Sequence, residues 1–371
     1  MIIEKLKRIN LLLLFIITLL SFIGFIALYS AANGDSNPWA LKHLIRFFVC
    51  FFILLFISVI DLKVWYKYTY TIFIISLILL LSVEFAGTLG LGAKRWIRMF
   101  GVSIQPSELV KISIILVLSR YYNDLKFERI GELKNIFFPI FIITIPFILI
   151  LAQPDLGTAL MILLLGFSIM FLAGVRIWKF LLLFFISIVS APFAWNYIKP
   201  YQQKRILAFL NPDSDPLGTG YHLIQSKIAL GSGGIFGKGF LKGSQSYLDF
   251  LPEKQTDFIF TLIGEEFGFV GTIFILILFI IIILISYIIS FKSKNKFGKI
   301  MALGISINFF LYIFLNTAMV TGLMPVVGVP LPFLSYGGTA LLSIMISLGL
   351  LINVQIHSNY KKISSSYAEN I

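Results

Sequence analysis

The sequence of 371 residues has one cysteine, three histidines and little negative charge. A single thiol, Cys50, excludes a disulfide framework and a cysteine zinc site. His43, His222 and His357 are too dispersed to indicate a metal cluster. Acidic residues number 17 against 30 lysines and arginines. The resulting charge of +13 is better explained by cytoplasmic loops that face anionic membrane lipids than by binding to nucleic acid.

Apolar residues are what the chain has in abundance. They make up 58% of it, which is typical of a polytopic membrane protein and not of a soluble domain. The first apolar run follows Lys5, Lys7 and Arg8 and has no A-x-A site, so we expect it to be a retained span and not a cleaved signal peptide.

Ten apolar runs are long enough to cross about 30 Å of hydrocarbon as helices. They lie at 10–31, 43–60, 65–83, 107–122, 135–152, 157–174, 177–198, 261–290, 300–321 and 333–356. The predicted fold is therefore an all-α polytopic membrane protein, with residues 1–371 as a single membrane domain. The eighth run is long enough to include an interfacial helix.

An even number of spans places both termini on one side. The basic loops on that side predict that it is cytoplasmic, by the positive-inside rule. The outer face then carries a loop at 84–106, a long loop at 199–260 between helices 7 and 8, and a turn rich in proline and glycine at 322–339. The long loop is too polar to span and too apolar to be a disordered linker, so we expect short interfacial helices in it.

Basic residues persist on this outer face, where exported loops usually avoid them. They are Lys94, Arg95, Arg98, Lys199, Lys204, Arg205, Lys227, Lys238, Lys242 and Lys254. Two explanations remain open, which are an anionic partner at the outer surface and contact with lipid headgroups.

The segment LPEKQTDFIF (251–260) places two acids, Glu253 and Asp257, at the mouth of a span. An ionisable residue in this position is a candidate functional residue. Helix capping by Thr256 or Asp257 would explain one acid, but not both together with Lys254. Since an apolar surface favours the protonated form of a carboxyl group, Asp257 is suited to act as a general base.

QPSELVK (105–111) opens the fourth span. Pro106 and Glu108 suit the first turn of a helix. Lys111, three residues after Glu108, shares its helix face. An ion pair that lines a polar cavity and a purely structural pair both remain open.

QPDLGTA (153–159) opens the sixth span in a similar way. Asp155 suits a helix N-cap, because its carboxylate can accept backbone N–H groups. Two Q-P-acid openings on one face of the membrane also indicate a shared polar vestibule, to which Gln105 and Asp155 would belong.

Two glycine-rich segments are informative. GSGGIFGKG (231–239) fails as a nucleotide-binding phosphate loop, since Ser232 and Gly239 stand where that motif needs Gly and Ser or Thr. Its glycines indicate tight turns or close helix approach, and a cradle of backbone amides for a lipid-linked phosphate is the alternative.

The second segment, 322–340, is too rich in proline for a helix. Irregular backbone at membrane depth lines a cavity or is buried in protein, so this segment, with Asn316 before it, predicts a cavity wall. Its polar contacts would be Ser335, Tyr336 and Thr339.

In this order, the segments resemble the SEDS family (shape, elongation, division and sporulation), the polytopic polymerases of the bacterial cell wall. The resemblance covers essentially the whole chain and rests on six motifs. They are GAKRWI (92–97), QPSE (105–108), QPDLGTA (153–159), IQSKIALGSGGIFGKG (224–239), LPEKQTDFIF (251–260) and MVTGLMPVVGVPLPFLSYGGT (319–339). KGSQSYLDFLPEK (242–254) resembles the rod-shape-determining branch more than the division branch.

The resemblance implies a peptidoglycan glycosyltransferase of the bacterial inner membrane that polymerises lipid II during cell elongation. The acceptor's sugar hydroxyl would attack the donor's anomeric carbon with inversion, and undecaprenyl pyrophosphate would leave. Asp257 matches the family's catalytic aspartate. Many relatives have histidine where this chain has Gln255, which leaves Asp257 as the base.

The resemblance also implies roles for other residues. Trp96 matches an essential tryptophan, and Glu108 would hold one of the cations that neutralise the pyrophosphate. These cations are Arg46, Lys94, Arg95 and Lys111. Further expected contacts to substrate are Gln105, Asp155, Lys227, Lys238, Glu253, Asn316, Ser335, Tyr336 and Thr339. A divalent cation, Mg²⁺ or Mn²⁺, is compatible with this chemistry, although no metal motif indicates one.

The expected partner is a class B penicillin-binding protein, a transpeptidase, within the lipid membrane. Two other functions remain open. A flippase for lipid-linked precursors would need a polar path across the cytoplasmic half, where the spans are almost wholly apolar. A noncatalytic scaffold for the transpeptidase would leave the outer acids unexplained.

Overall fold

The computed structural model describes residues 8–90, 93–99, 102–196, 203, 207–211, 219–247 and 253–358. Both chain ends, for which a cytoplasmic location is predicted, lie outside these residues. So do parts of the 199–260 loop, including Lys199, Lys204 and Arg205.

The described residues are mainly helical, as predicted. The helices are α1 (Leu11–Ala31), α2 (Ala40–Val59), α3 (Leu62–Ala86), α4 (Pro106–Asp124), α5 (Lys134–Ala152), α6 (Leu156–Ala173), α7 (Ile177–Trp195), α8 (Thr219–Ser232), α9 (Ser244–Tyr247), α10 (Ile259–Lys292), α11 (Lys296–Thr321) and α12 (Gly338–Ile356). The short α8 and α9 lie in the 199–260 loop, where short helices were expected.

Eight helices of the described chain are long and apolar enough to cross a membrane, against ten predicted spans. The other two predicted spans are helices as well. In α7, the shorter stretch Ile177–Ser190 is apolar. Helix α4 carries Glu108, Lys111 and Arg120, which lower its hydropathy. It is nevertheless a central helix, since its residues from 106 to 119 are buried except for Leu109.

The predicted loop at 84–106 instead holds a three-stranded antiparallel sheet. Its strands are β1 (Thr88–Gly90), β2 (Ala93–Met99) and β3 (Val102–Ile104), in the order β1-β2-β3. Trp96 pairs with Thr88, and Ile97 pairs with Ile104. A search for long apolar runs misses strands this short. The sheet leads directly into α4, where Pro106 occupies the first turn as expected.

Helix α10 is interrupted at Gly268, whose backbone has φ 67° and ψ −163°. The glycine segment 231–239 packs against this break. The amides of Phe269 and Val270 donate to the carbonyls of Gly234 and Ile235, at 2.9 and 3.1 Å. These bonds compensate for part of the helical bonding lost at the break, which explains why a long helix of a membrane protein can be interrupted here.

Close approach explains Gly233 and Gly237 of this segment, as predicted. A Cβ on Gly237 would lie 2.1 Å from the carbonyl oxygen of Glu266, so no side chain fits. The amides of Lys238 and Gly239 donate to the carbonyls of Glu265 and Glu266, both at 3.0 Å, and the amide of Gly237 also donates to a backbone carbonyl. These three amides are therefore not available to cradle a phosphate.

A second close approach joins α1 to the turn before α12. A Cβ on Gly24 would lie 2.2 Å from the carbonyl oxygen of Phe333 and 3.0 Å from Cα of Leu334. Because backbone atoms lie opposite, no side-chain rotation relieves the contact. The glycine therefore sets the distance between α1 and this turn.

We predict that Gly24→Ala destabilises the protein by about 1–3 kcal/mol through overpacking, although alanine favours a helix. The matched control is Gly231→Ala in α8, where no atom lies within 4 Å of an added Cβ. This control should be neutral or slightly stabilising. Melting temperatures of both variants in one detergent test the prediction, and equal values would contradict it.

Candidate functional site

Most of the predicted site residues lie at one end of the helix bundle. The starts of α4, α6, α10 and α12 meet the end of α11 there. The amide group of Gln105, before α4, donates to Asp155, before α6, at 3.2 Å. The backbone N–H of Gln105 donates to Thr339 of α12 at 3.2 Å. Asn316 of α11 donates to the carbonyl of Asp257, two residues before α10, at 2.9 Å.

Two irregular segments at this end are joined by hydrogen bonds. We call residues 253–258 the acid loop and residues 322–337 the proline turn. The N–H of Tyr336 donates to the carbonyl of Gln255 at 2.8 Å. The hydroxyl of Ser335 donates to the carbonyl of Thr256 at 2.6 Å and accepts from the N–H of Leu331 at 2.7 Å. Each segment thus satisfies backbone groups of the other, as buried irregular backbone requires.

Asn316 fixes both segments to α11. Its side chain is fully buried. The amide nitrogen Nδ2 donates to the carbonyl of Asp257 at 2.9 Å and to that of Val329 in the proline turn at 2.7 Å. Asn316 therefore holds the backbone of the candidate base, and its contact with a substrate stays a prediction.

The Asp257 side chain lies against Gly328. Gly328 has a left-handed backbone, φ +70°, and a Cβ there would lie 3.2 Å from Oδ2 of Asp257. Glycine is therefore needed here because of the left-handed backbone conformation, and its lack of a side chain also leaves room beside the carboxylate. The Asp257 side chain is neither fully buried nor fully exposed.

The capping explanation for the acid loop is wrong. Helix α10 begins at Ile259 with Phe258 as its N-cap, so neither Thr256 nor Asp257 occupies the N-cap position. The hydroxyl of Thr256 instead donates to the carbonyl of Glu253 at 3.2 Å and to its carboxylate at 3.3 Å. The Glu253 carboxylate also accepts from Nε2 of Gln255 at 3.1 Å. Glu253 therefore shapes the loop that presents Asp257.

The two Q-P-acid openings meet, as the shared vestibule predicted. Asp155 is an N-cap, since it accepts from the N–H of Thr158 at 3.2 Å, and its Oδ2 also accepts from Gln105. Nε of Arg95 lies 3.9 Å from Oδ2 of Asp155 and donates to the carbonyl of Gln153 at 3.4 Å. Arg95 also donates to the carbonyl of Pro154, and its side chain is 26% exposed.

Arg46 belongs to α2, and its side chain lies next to the start of α12. Its guanidinium carbon is 4.6 Å from the ring centroid of Tyr336, and a Cβ on Gly338 would be 3.4 Å from the same group. No side chain caps this helix end. Helix N-termini carry partial positive charge. The guanidinium and the helix end thus combine into a positive region, in which no carboxylate of the described residues pairs with Arg46.

Lys227 of α8 lies at the end of α11. Gly322 there has φ +79°, and a Cβ on it would lie 2.0 Å from Cε of Lys227. The hydroxyl of the neighbouring Ser226 joins α8 to α11 by donating to the carbonyl of Val320 at 2.8 Å. Within the described part of the chain, no carboxylate forms a salt bridge with Lys227.

Three other predicted residues stand apart from this cluster. Lys94 is exposed on β2, and Trp96 is partly buried on the same strand. Lys238 pairs with Glu265 at 2.8 Å and donates to Ser244 at 2.8 Å, beside the glycine segment. Contact of these three residues with a substrate stays a prediction.

Glu108 and Lys111 form an ion pair inside the bundle and do not line an open cavity. Nζ of Lys111 lies 2.7 Å from Oε1 of Glu108, and both side chains are buried, at 1% and 4% exposure. Tyr312 of α11 donates to Glu108 and accepts from Lys111. Ser343 of α12 donates to Glu108 at 2.8 Å. The arrangement favours the structural explanation of this pair.

Tyr312 and Ser343 also belong to this group, and the sequence motifs do not predict them. A signal for them was present, because Tyr312 precedes Asn316 by four residues and Ser343 follows Thr339 by four. Residues four apart share a helix face. Polar residues at that spacing beside a site residue therefore mark the faces of α11 and α12 that turn toward α4.

We predict that Lys111→Met destabilises the protein by roughly 3–5 kcal/mol, because it leaves the Glu108 carboxylate buried without a cation. The double variant Glu108→Gln/Lys111→Met should recover most of this loss, since it removes both charges. Thermal unfolding in one detergent measures both. If the single and double variants unfold at the same temperature, the buried charge is not the cause.

Residues 8–360 match the family model of the FtsW, RodA and SpoVE cell cycle proteins. Over 304 residues the chain is 42% identical to the peptidoglycan glycosyltransferase MrdB of Escherichia coli K12. The aligned residues make up 81% of this chain and 80% of MrdB.

Two solved structures have the same fold. A chain from a peptidoglycan synthase complex that coordinates polymerization and crosslinking superposes with a TM-score of 0.80 and 26% identity, covering 95% of this chain and 98% of that one. The rod-shape-determining protein RodA of Thermus thermophilus superposes with a TM-score of 0.71 and 22% identity, covering 95% and 98% of the two chains.

Proposed function

The chain belongs to the FtsW/RodA/SpoVE family of cell cycle proteins, and we propose that it is a peptidoglycan glycosyltransferase that polymerises lipid II into glycan strands. One observation carries the proposed mechanism. The backbone of Asp257 is fixed by Asn316, while its carboxylate lies beside a glycine at the end of the bundle where the other candidate residues meet. Such fixed placement is what a general base requires.

In the proposed reaction, a sugar hydroxyl of the acceptor attacks the anomeric carbon of the donor. The new glycosidic C–O bond forms as the bond from that carbon to the pyrophosphate breaks, so the configuration inverts from α to β. Asp257 takes the proton of the attacking hydroxyl, and undecaprenyl pyrophosphate leaves with the electron pair of the broken bond.

The leaving pyrophosphate needs positive charge where its own negative charge develops. Arg46 is the best placed cation, because it adjoins the uncapped start of α12. Lys227 at the end of α11 and Arg95 beside Asp155 are further candidates. Lys111 would act through the fold, since its ammonium group is already bonded inside the bundle.

The flippase alternative is less well supported. The cavity that Asn308 of α11 and Ser347 of α12 help to line has no room for a water molecule. One turn further along α11, a Cβ on Gly304 would be 2.9 Å from Ile115 and 3.1 Å from Ile169. Apolar side chains thus pack tightly here, where a transport path for a polar headgroup would have to pass.

The location and partner follow from the same proposal. The protein would lie in the bacterial inner membrane with both termini in the cytoplasm and the acid loop facing outward, and it would serve cell elongation. A class B penicillin-binding protein would cross-link the new strands. This is consistent with the complex from which one structural relative comes.

A divalent cation is a further part of the proposal. Among the residues that the structure describes, no three His, Cys, Asp or Glu side chains are grouped to hold a metal ion. Mg²⁺ or Mn²⁺ would therefore be held mainly by the phosphate oxygens of the substrate. Asp257 or Glu253 would supply at most one or two ligands.

We predict that Asp257→Asn lowers the rate of glycan synthesis by about 10²–10⁴-fold, the usual contribution of a general base. The purified protein, alone and with its expected transpeptidase, is incubated with fluorescent lipid II, with added Mg²⁺ or with a chelator. Products are then resolved as glycan ladders. Asp35→Asn, an exposed aspartate in the turn between α1 and α2, is the matched control and should be fully active.

Ladders at the full rate from a folded Asp257→Asn variant would exclude Asp257 as the base. If the wild type makes no ladder even with partner and cation, the flippase becomes the better proposal. Equal ladders with and without the chelator would remove the divalent cation from the mechanism.

We predict that Gly328→Ala lowers activity about tenfold or more, because its methyl group would press on Oδ2 of Asp257 and 1 Å of misplacement can cost about 10²-fold. Gly234→Ala is the matched control. It also has a left-handed backbone, φ +55°, but nothing lies within 4 Å of its Cβ. Both variants should lose similar stability, while only Gly328→Ala should lose activity out of proportion to it. Equal losses of activity would refute the contact.

A further inference from the structure

We infer that Tyr312 is a positioning residue that couples the buried Glu108–Lys111 pair to the acid loop. The inference rests on the proposed function, because the consequence would be the placement of Asp257 for glycosyl transfer. It adds a residue of α11 that lies outside the candidate base and its surrounding cations.

Tyr312 connects α11 to the ion pair. Tyr312 is fully buried. Its hydroxyl donates to Oε2 of Glu108 and accepts from Nζ of Lys111. The Lys111 ammonium also lies 4.2 Å from the centroid of the Tyr312 ring. One hydroxyl thus bonds both members of a charge pair inside the bundle.

Asn316 connects α11 to the acid loop. Asn316 follows Tyr312 by four residues, so it lies on the same face about one turn along the helix. It holds the carbonyls of Asp257 and Val329 through Nδ2, while its Oδ1 has no hydrogen-bond partner among the described residues. The Nδ2 bonds therefore depend on where α11 places Asn316.

A continuous stretch of helix joins these two contacts. Residues 312 to 316 are one regular helical turn, within a helix that runs unbroken from Lys296 to Thr321. A shift of α11 at Tyr312 therefore reaches Asn316 nearly unchanged. In phenylalanine the hydroxyl is missing, so Glu108 keeps Ser343 as its one hydroxyl donor among the described residues and Lys111 loses an acceptor. Because buried groups left without partners are costly, α4 and α11 should shift to restore contacts.

The direct test compares Tyr312→Phe with Tyr66→Phe. Tyr66 is also fully buried and its hydroxyl also donates to a carboxylate, that of Asp124, at the opposite end of the bundle. We expect Tyr312→Phe to lower kcat about tenfold or more with KM nearly unchanged, since misplacement of a catalytic group acts on the chemical step. Tyr66→Phe should leave kcat unchanged at a comparable loss of melting temperature.

Coupling to Asn316 gives a readout that a purely structural role would not move. If both residues act through one path, Tyr312→Phe/Asn316→Ala should be no slower than Asn316→Ala alone. The losses of Tyr66→Phe and Asn316→Ala should multiply instead. Multiplying losses for the Tyr312 pair, or a change in KM without a change in kcat, would overturn the inference.

Hydrogen exchange tests the coupling without any enzymatic assay. The amide of Thr256 donates to the carbonyl of Glu253 at 3.0 Å within the acid loop. Tyr312→Phe should speed exchange of the peptide that covers 253–258, and Tyr66→Phe should not. Unchanged exchange would overturn the inference, whether or not the wild type makes glycan. Absence of glycan from the wild type would count separately, against the proposed function. Should Tyr312→Phe fail to fold, Tyr312→Phe/Glu108→Gln serves the same comparison, because it removes the buried carboxylate that needs the hydroxyl.

Discussion

The ion pair between Glu108 and Lys111 is the interaction on which the arrangement of the site depends. Inside a membrane bundle, an unmatched charge is costly, so the pair must find its remaining partners within the protein. It finds them on α11 and α12, in Tyr312 and Ser343. Helices α4, α11 and α12 are therefore fixed to one another at one depth. The ends of these same helices carry Gln105, Asn316 and Thr339.

Irregular backbone is the second constraint. A transferase for a lipid-linked sugar needs polar groups at the membrane surface, but exposed N–H and C=O groups are costly there. The acid loop and the proline turn meet this cost by bonding to each other through Tyr336 and Ser335. Asn316 then ties both to α11. Glycines complete the arrangement where atoms approach closely, at Gly328 beside Asp257 and at Gly24 beside the proline turn.

The features that are predicted correctly from the sequence are those that depend on local patterns. The apolar runs, the two Q-P-acid openings and the close approach of the glycine segment all follow from neighbouring residues. The sheet at 88–104 escaped prediction because its strands are short, and it replaces a predicted loop. The role of Glu108 and Lys111 stayed open because it depends on Tyr312 and Ser343, which are more than 200 residues away in sequence. Long-range partners of this kind leave only a weak local signal, the four-residue spacing of polar side chains.

The basic residues divide into two groups by what surrounds them, and this division links the fold to the proposed chemistry. Lys111 and Lys238 bond to buried carboxylates, so their charges are already balanced by the protein. Arg46 and Lys227 have no carboxylate partner among the described residues. Both lie beside the proline turn, Arg46 next to the start of α12 and Lys227 next to the end of α11. Two uncompensated cations and an uncapped helix N-terminus raise the local potential and favour an anion. A pyrophosphate leaving group would supply the negative charge that no carboxylate of the described residues brings to these two cations through a salt bridge.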